Sequence, residues 1–352
     1  MRHDRCLLTS HMAASRSPLV VRAAAYVVLR SLKFVRHSVL NIKTGSRNLK
    51  YRIRESEWGN MLWKAAAFTR APVESGRRQR LAARYATSAA PHMDQATGYA
   101  LLPRDRVPEL TAALSTCRLL FESKTGVTSG GDEDKRKEKR AFLRNLLNNE
   151  DLRNHPILVD FALSDWALSV VTDYLHVVPY LNRVDLLYSV PRPTDDRIAS
   201  QLFHVDPEGV TQVKFFVNVF DTDDDDGPFT FIPADESRRI IRAIRSLRTR
   251  QGKPHVGRYT DDEIDAAGGS RSIIRVTGPR GSGVAVDTSR CLHLGSRVRS
   301  GSFRLCMYLQ YCASLERGNV FDIERFRHDP IRLLAVKHSS KWAGRDVAAP
   351  HQ

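Results

Sequence analysis

The chain has 352 residues, 42% of them apolar and 8% aromatic, which suffices for the core of one large domain or two small ones and excludes a wholly disordered chain. The formal charge is +16, yet residues 1–90 carry 18 Lys/Arg against 4 Asp/Glu, so the basicity belongs to an N-terminal extension and the remainder is close to neutral. Five cysteines (Cys6, Cys117, Cys291, Cys306 and Cys312), none in CxxC spacing, exclude a disulfide framework and fit a reducing compartment.

Residues 1–95 read as a basic extension, partly helical or disordered, with a helix expected over "EWGNMLWKAAAFTR" at 57–70. Its best apolar stretch, "SPLVVRAAAYVVLRSLKFV", is broken by Arg22 and Arg30 and falls short of the roughly 20 apolar residues that span a bilayer. In the first 54 residues Asp4 is the only acid, a composition shared by mitochondrial transit peptides and by basic surface helices. The expected location is cytoplasmic, or mitochondrial if the source is eukaryotic. Such an arm would attract an anionic surface, nucleic acid or membrane, by charge alone. The near-neutral remainder argues against nucleic acid as the partner of the main domain. "ATSAAPHMDQATG", 86–98, reads as a linker.

From Gly98 the pattern tightens. Residues 98–122 suggest a short strand, a turn and a helix, and 128–147 a Gly-Gly loop leading into a charged helix. Residues 155–178 suggest two helical pieces, with Ser164 as N-cap of the second. Strand-like runs follow: "RVDLLYSV", "SQLFHV", "QVKFFVNVF", "PFTFIP", "RSIIRV", "SGVAVD" and "FRLCMYLQYC". Cys306 and Cys312 in the last are expected as small core residues. One amphipathic helix interrupts, 235–248, with Ile240, Ile241, Ile244 and Leu247 on one face; "TDDE" at 260–263 is a capping box. The predicted class is mainly β with flanking helices, a double-stranded β-helix (jelly roll) core following the helical, basic extension.

The run "SQLFHVDPEG" places His204 and Asp206 two apart at a strand end, where both side chains share a face. Composition alone yields about one His-x-Asp, and the chain holds a second, His92/Asp94, in the expected linker. Context therefore has to decide. Two His and one carboxylate form the facial triad of non-haem Fe(II) oxygenases. The third ligand is expected at His293, just past a strand in "GSGVAVDTSRCLHLGS"; His255 is its rival, in a polar loop. Arg304 opens the last strand and could grip a carboxylate with its planar fork. Gln201 and Lys214 are weaker candidates for co-substrate contacts, Lys214 being equally readable as an exposed strand residue. The run Asp223–Asp226 reads as a solvated hairpin loop.

In order and spacing, "HVD", "VFDTDDDDGPFTFIP", "GSGVAVDTSRCLHLGS" and "FRLCMYLQY" resemble the phytanoyl-CoA dioxygenase-like branch of the Fe(II)/2-oxoglutarate oxygenases over residues 97–313. The resemblance implies iron ligands His204, Asp206 and His293, with Arg304 on the 2-oxoglutarate carboxylate. It implies O2 as co-substrate, a small-molecule or acyl-conjugate substrate, and hydroxylation coupled to decarboxylation of 2-oxoglutarate to succinate. Related halogenases replace the carboxylate ligand with a small residue, so Asp206 favours hydroxylation. Two departures stand out: the family's "PGSH" is "PADES" here, Ala234 to Ser237, and Leu294 follows the distal His where Gly is usual, leaving the role of Ser296 open. The oxygenase domain is placed at 96–320 and a C-terminal tail at 321–352. The alternative reading is an inactive jelly-roll binding protein whose basic arm contacts an anionic partner.

Overall fold

Short strands between residues 99 and 312 build two antiparallel sheets, and helices cover one face of the larger. The computed structural model describes residues 72–85, 90–102, 107–125, 142–192, 196–206, 211–314 and 318–336. The helix expected over 57–70, the transit-like segment and most of the charged stretch after Gly131 lie outside the described residues.

In chain order the elements are α1 (Pro72–Tyr85), β1 (Tyr99–Leu102), α2 (Pro108–Thr125), β2 (Leu143–Asn145), α3 (Asn149–Asn154), α4 (Ile157–Ala162), α5 (Asp165–Leu175) and β3 (Tyr180–Ser189). There follow β4 (Gln212–Asn218), β5 (Thr230–Ile232), α6 (Ala234–Arg250), α7 (Asp261–Ala266), β6 (Ile274–Arg275), β7 (Gly283–Val286), β8 (Leu292–Leu294), β9 (Arg304–Cys312) and α8 (Pro330–Val336). The large sheet has the order β1-β7-β4-β9-β3-β2 and the small one β6-β5-β8. A bridge from His204 to His293 adds the 203–204 segment to the edge of β8. From β3 onward the chain crosses repeatedly between the two sheets, an order consistent with a double-sheet jelly roll.

Side-chain alternation assigns the two faces of the large sheet. Val213, Phe215 and Val217 of β4, Leu305, Met307, Leu309 and Tyr311 of β9, and Val184 and Leu186 of β3 join Leu110, Leu158, Phe161, Leu168 and Val171 in the main core under the helices. The intervening positions Phe216, Cys306, Tyr308, Val284 and Val286 turn inward and meet Phe229 and Phe231 between the sheets. Each buried Phe or Leu contributes about 1.5–3 kcal/mol by leaving water.

Several expectations hold. Cys306 and Cys312 are buried in β9. Thr260 and Glu263 form a reciprocal capping box. Ser164 caps α5, its hydroxyl accepting the Ala167 N–H. Ser164→Ala should lower stability by about 1 kcal/mol, checked by urea denaturation; an unchanged midpoint would refute the cap's contribution.

Others need correction. Leu143–Asn145 continues no helix but pairs with the edge of β3, Leu143 opposite Ser189. Leu292–Leu294 is a strand of its own, so His293 lies within β8 rather than past a strand. On α6, Leu247 is only half-buried while Arg248 is buried. All of the Arg248 guanidinium's nitrogens are engaged, by the Glu263 carboxylate and the carbonyls of Val256 and Arg258. The expected linker is packed in its described part: Met93 is fully buried. Packing also continues past position 320, since Phe321, Phe326, Ala335 and Val336 join the main core.

Candidate metal centre

The centre begins with a pair of backbone hydrogen bonds. His204 N donates to His293 O (3.0 Å) and His293 N to His204 O (2.9 Å), which sets the two imidazoles side by side with ring centroids 4.3 Å apart. Each ring is oriented by the carbonyl two residues before it: Nδ1 of His204 meets Leu202 O at 2.9 Å, and Nδ1 of His293 meets Cys291 O at 3.0 Å. A carbonyl only accepts, so both Nδ1 atoms carry the proton and both Nε2 atoms present a lone pair. Asp206 is tied down separately, its N–H donating to Thr288 O at 2.8 Å.

The three side chains converge. Asp206 Oδ1 lies 3.6 Å from His204 Nε2, and Asp206 Oδ2 lies 3.4 Å from His293 Nε2. Their ligand atoms all fall within 4.8 Å of one another, and among the described residues this is the one grouping of three or more His, Cys, Asp or Glu suited to a metal ion. Burial, with His293 adjacent, holds the His204 imidazole well below its usual range, the neutral form that metal binding requires. Burial alone would raise the Asp206 carboxyl, but the Lys214 ammonium and the two imidazoles outweigh it and hold Asp206 well below the carboxylate range. Two imidazole nitrogens and one carboxylate are a donor set that suits a divalent transition metal.

Lys214 lies on β4 with its Nζ 2.6 Å from Asp206 Oδ2 and 5.5 Å from the centre of the Tyr308 ring. It is buried, not an exposed strand residue. Gln201 sits elsewhere. Its Nε2 donates to Ser296 O (2.9 Å) and its Oε1 accepts from Ile198 N, so it fixes the turn after β8. Ser296 holds a left-handed backbone (φ 63°) there, and its hydroxyl meets that of Ser189 at 3.0 Å.

Ser189 is the cross-strand neighbour of Arg304. Arg304 is 3% exposed, and its Nε and Nη1 have no hydrogen-bond partner among the described residues. Gly295 leaves room for it: a Cβ there would stand 3.3 Å from Nη2 and 3.6 Å from Nη1. Burial lowers the Arg304 pKa from its ordinary value, the Cys306 thiol partly offsetting this. A buried guanidinium with free donors is a costly arrangement that an incoming carboxylate would relieve. Gly295 is two residues beyond His293, so the guanidinium stands beside the same segment that carries the third donor.

The rival pairs do other work. His255 Nε2 meets Thr249 Oγ1 at 3.2 Å, away from the centre. His92 pairs with Asp173 at 2.7 Å, and Asp94 caps the turn at Ala96 and Thr97. Asp223, Asp225 and Asp226 make a turn closed by their own carboxylates; Arg275 and Arg299 pair with Asp224 and Asp225. In "PADES", Ser237 bridges strands: its hydroxyl donates to Ile232 O and accepts from Leu292 N, each at 2.8 Å, bracing β8 beside His293. Its spacing in the sequence carried no sign of this.

No protein-family model matches the chain, and no curated protein matches it. Among solved structures, the epimerase SnoN, in complex with Fe3+, alpha ketoglutarate and nogalamycin RO, is 17% identical, covering 67% of this chain and 84% of its own at a TM-score of 0.41. EctD from S. alaskensis, with 2-oxoglutarate and 5-hydroxyectoine, is 13% identical (69% and 89% covered, TM-score 0.42). HygX from Streptomyces hygroscopicus, with nickel and 2-oxoglutarate, is 15% identical (62% and 83%, TM-score 0.41). Global likeness at this level assigns neither activity nor substrate to the chain. Among the described residues no helix is long and apolar enough to cross a membrane.

Proposed function

We propose that the protein is a non-haem Fe(II)/2-oxoglutarate-dependent oxygenase of the phytanoyl-CoA dioxygenase-like kind, hydroxylating a small molecule or acyl conjugate. The observation that carries this reading is the pairing of a His204–Asp206–His293 donor set with a buried, under-partnered Arg304 guanidinium. A metal triad alone would suit many ions. A buried, under-partnered guanidinium beside Gly295, two residues beyond His293, would supply the second half of a 2-oxoglutarate site.

The roles divide as follows. His204 Nε2, His293 Nε2 and an Asp206 oxygen would hold the iron, while Lys214 holds Asp206 Oδ2 and keeps the carboxylate from rotating. Arg304 would receive the distal carboxylate of 2-oxoglutarate, with Gly295 giving it access. Phe216, Phe229, Phe231, Val284 and Val286 line the space between the sheets with apolar surface and keep water away. Iron so held would couple decarboxylation of 2-oxoglutarate, to succinate and carbon dioxide, to oxidation of a substrate C–H bond by O2. With a carboxylate as third ligand, hydroxylation is favoured over halogenation.

The test is an anaerobic titration of the full chain with Fe(II) and 2-oxoglutarate, followed by the weak visible metal-to-ligand charge-transfer band. The band should form in the wild type and vanish in His204→Ala and His293→Ala. Its absence in folded, metal-replete wild type rejects the oxygenase reading and leaves the anion-binding arm as the feature to pursue.

A further inference from the structure

The turn between β7 and β8 carries a hydrogen-bond network that the metal centre does not itself contain. Asp287 is fully buried. Its Oδ1 accepts from Ser289 N (3.0 Å) and from the Ser289 hydroxyl (2.5 Å), and its Oδ2 accepts from the Tyr174 hydroxyl (2.8 Å). Arg290 Nη1 donates to the Tyr174 hydroxyl oxygen (2.8 Å) and to Gln95 O (2.8 Å). A guanidinium only donates, so the tyrosine proton is directed at Asp287. The backbone closes the turn further: Asp287 N donates to Gly98 O (2.8 Å), while Asp287 O accepts from Arg290 N and Cys291 N. Gly98 allows this approach, since a Cβ at its φ of +73° would meet Ala234 at 3.2 Å, Cys291 Sγ at 3.3 Å and the Tyr174 hydroxyl at 3.5 Å.

Two carbonyls of this one turn reach two of the three ligands. Thr288 O accepts the Asp206 N–H at 2.8 Å, and Cys291 O holds Nδ1 of His293 at 3.0 Å. A shift of the turn would therefore move Asp206 and rotate the His293 ring together. We propose that Asp287 and Tyr174 are positioning residues for the metal centre: they lock the 287–291 turn in the one setting that aims Asp206 and His293 at a common ion. The inference rests on the metal-site reading above. Because Tyr174 belongs to α5, it also makes the centre depend on the helical layer being seated against the sheet. Outer partners that orient metal ligands typically govern affinity and spectrum as well as turnover.

The experiment uses the full chain, stripped of metal and titrated with Co(II), read by the position and intensity of its visible d–d bands. Tyr174→Phe and Asp287→Asn should each bind Co(II) about ten- to a hundredfold more weakly, with an altered band shape. The double variant should be little worse than Asp287→Asn alone, because the two residues act as a unit. Tyr311→Phe is the control. It also deletes one buried hydroxyl, bonded to Ala162 O at 2.7 Å on the helix-facing side of β9, and should lose thermal stability while binding Co(II) like the wild type. Wild-type affinity and spectrum in both Tyr174→Phe and Asp287→Asn would overturn the proposal, as would an equal loss in Tyr311→Phe. If Asp287→Asn does not fold, Tyr174→Phe decides alone. A wild type that binds no Co(II) at all would instead bring down the metal-site reading, and this inference with it.

Discussion

Replacing Arg304 by methionine should weaken 2-oxoglutarate binding by roughly thirtyfold or more and, at the same time, stabilise the ligand-free protein. The two effects have opposite signs because, on the proposed reading, the guanidinium is placed for a ligand and not for the fold. It is 3% exposed, and two of its nitrogens have no hydrogen-bond partner among the described residues. Removing an ill-compensated buried charge in favour of an apolar side chain of similar length stabilises by about 1–4 kcal/mol. Deleting one member of a buried, hydrogen-bonded charge pair costs binding about 2–5 kcal/mol, or roughly thirtyfold to several thousandfold in affinity. Urea denaturation with and without 2-oxoglutarate and metal reads both effects. The wild type should gain stability with ligand concentration by mass action, whereas Arg304→Met should start higher and stay flat. Arg304→Lys should fall between, since it keeps the charge and loses the fork. A variant that is destabilised and still responds to 2-oxoglutarate would show that Arg304 serves the fold and that the co-substrate carboxylate is held elsewhere.

What was legible in the sequence follows from which signals are local. Strand alternation in "QVKFFVNVF" and "FRLCMYLQYC" is a property of a few consecutive residues, and β4 and β9 lie where those runs predict. His-x-Asp is local too, but it occurs twice, and only packing separates the two. His92 and Asp94 are occupied by a helix residue and a turn, whereas His204 and Asp206 meet a third donor from β8. β8 itself was missed as a strand because Leu292–Leu294 is too short for a period to show; its pairing with β5 and the support of Ser237 define it. β2 was misjudged for a related reason: "FLRNLL" has helical spacing, and the free edge of β3 overrides it. Gln201 and Lys214 looked equivalent in the sequence, yet one fixes the Ser296 turn and the other grips Asp206. Tyr174 and Asp287 are 113 residues apart, and neither residue type nor spacing marks them as partners.

Lys214→Met should be the most destabilising of the substitutions near the centre, and metal should reverse much of the damage. Lys214 and Asp206 are 6% and 12% exposed at the side chain, so the pair is screened little by solvent. Breaking a buried pair by removing one partner costs about 3–5 kcal/mol, because the remaining charge is left uncompensated. In the metal-free variant Asp206 would face, among the described residues, the two imidazoles without a compensating ammonium. A divalent cation on the triad supplies the missing positive charge, so the rise in Tm on adding Co(II) should be larger in Lys214→Met than in the wild type. The pH dependence gives a second, independent reading. In the wild type the Asp206 carboxyl is held below its ordinary value, so its contribution to stability is present above about pH 4 and is lost as pH falls through the folded value. The ammonium is the largest of the influences that lower the carboxyl, so without it the folded pKa should rise. The variant should then show a smaller loss of stability than the wild type as pH falls through the acid range. Calorimetric scans of both proteins from neutral pH down through the acid range below about pH 4, with and without Co(II), measure the two effects together. Equal metal-induced shifts and parallel pH profiles would mean that Lys214 packs beside Asp206 without setting its charge.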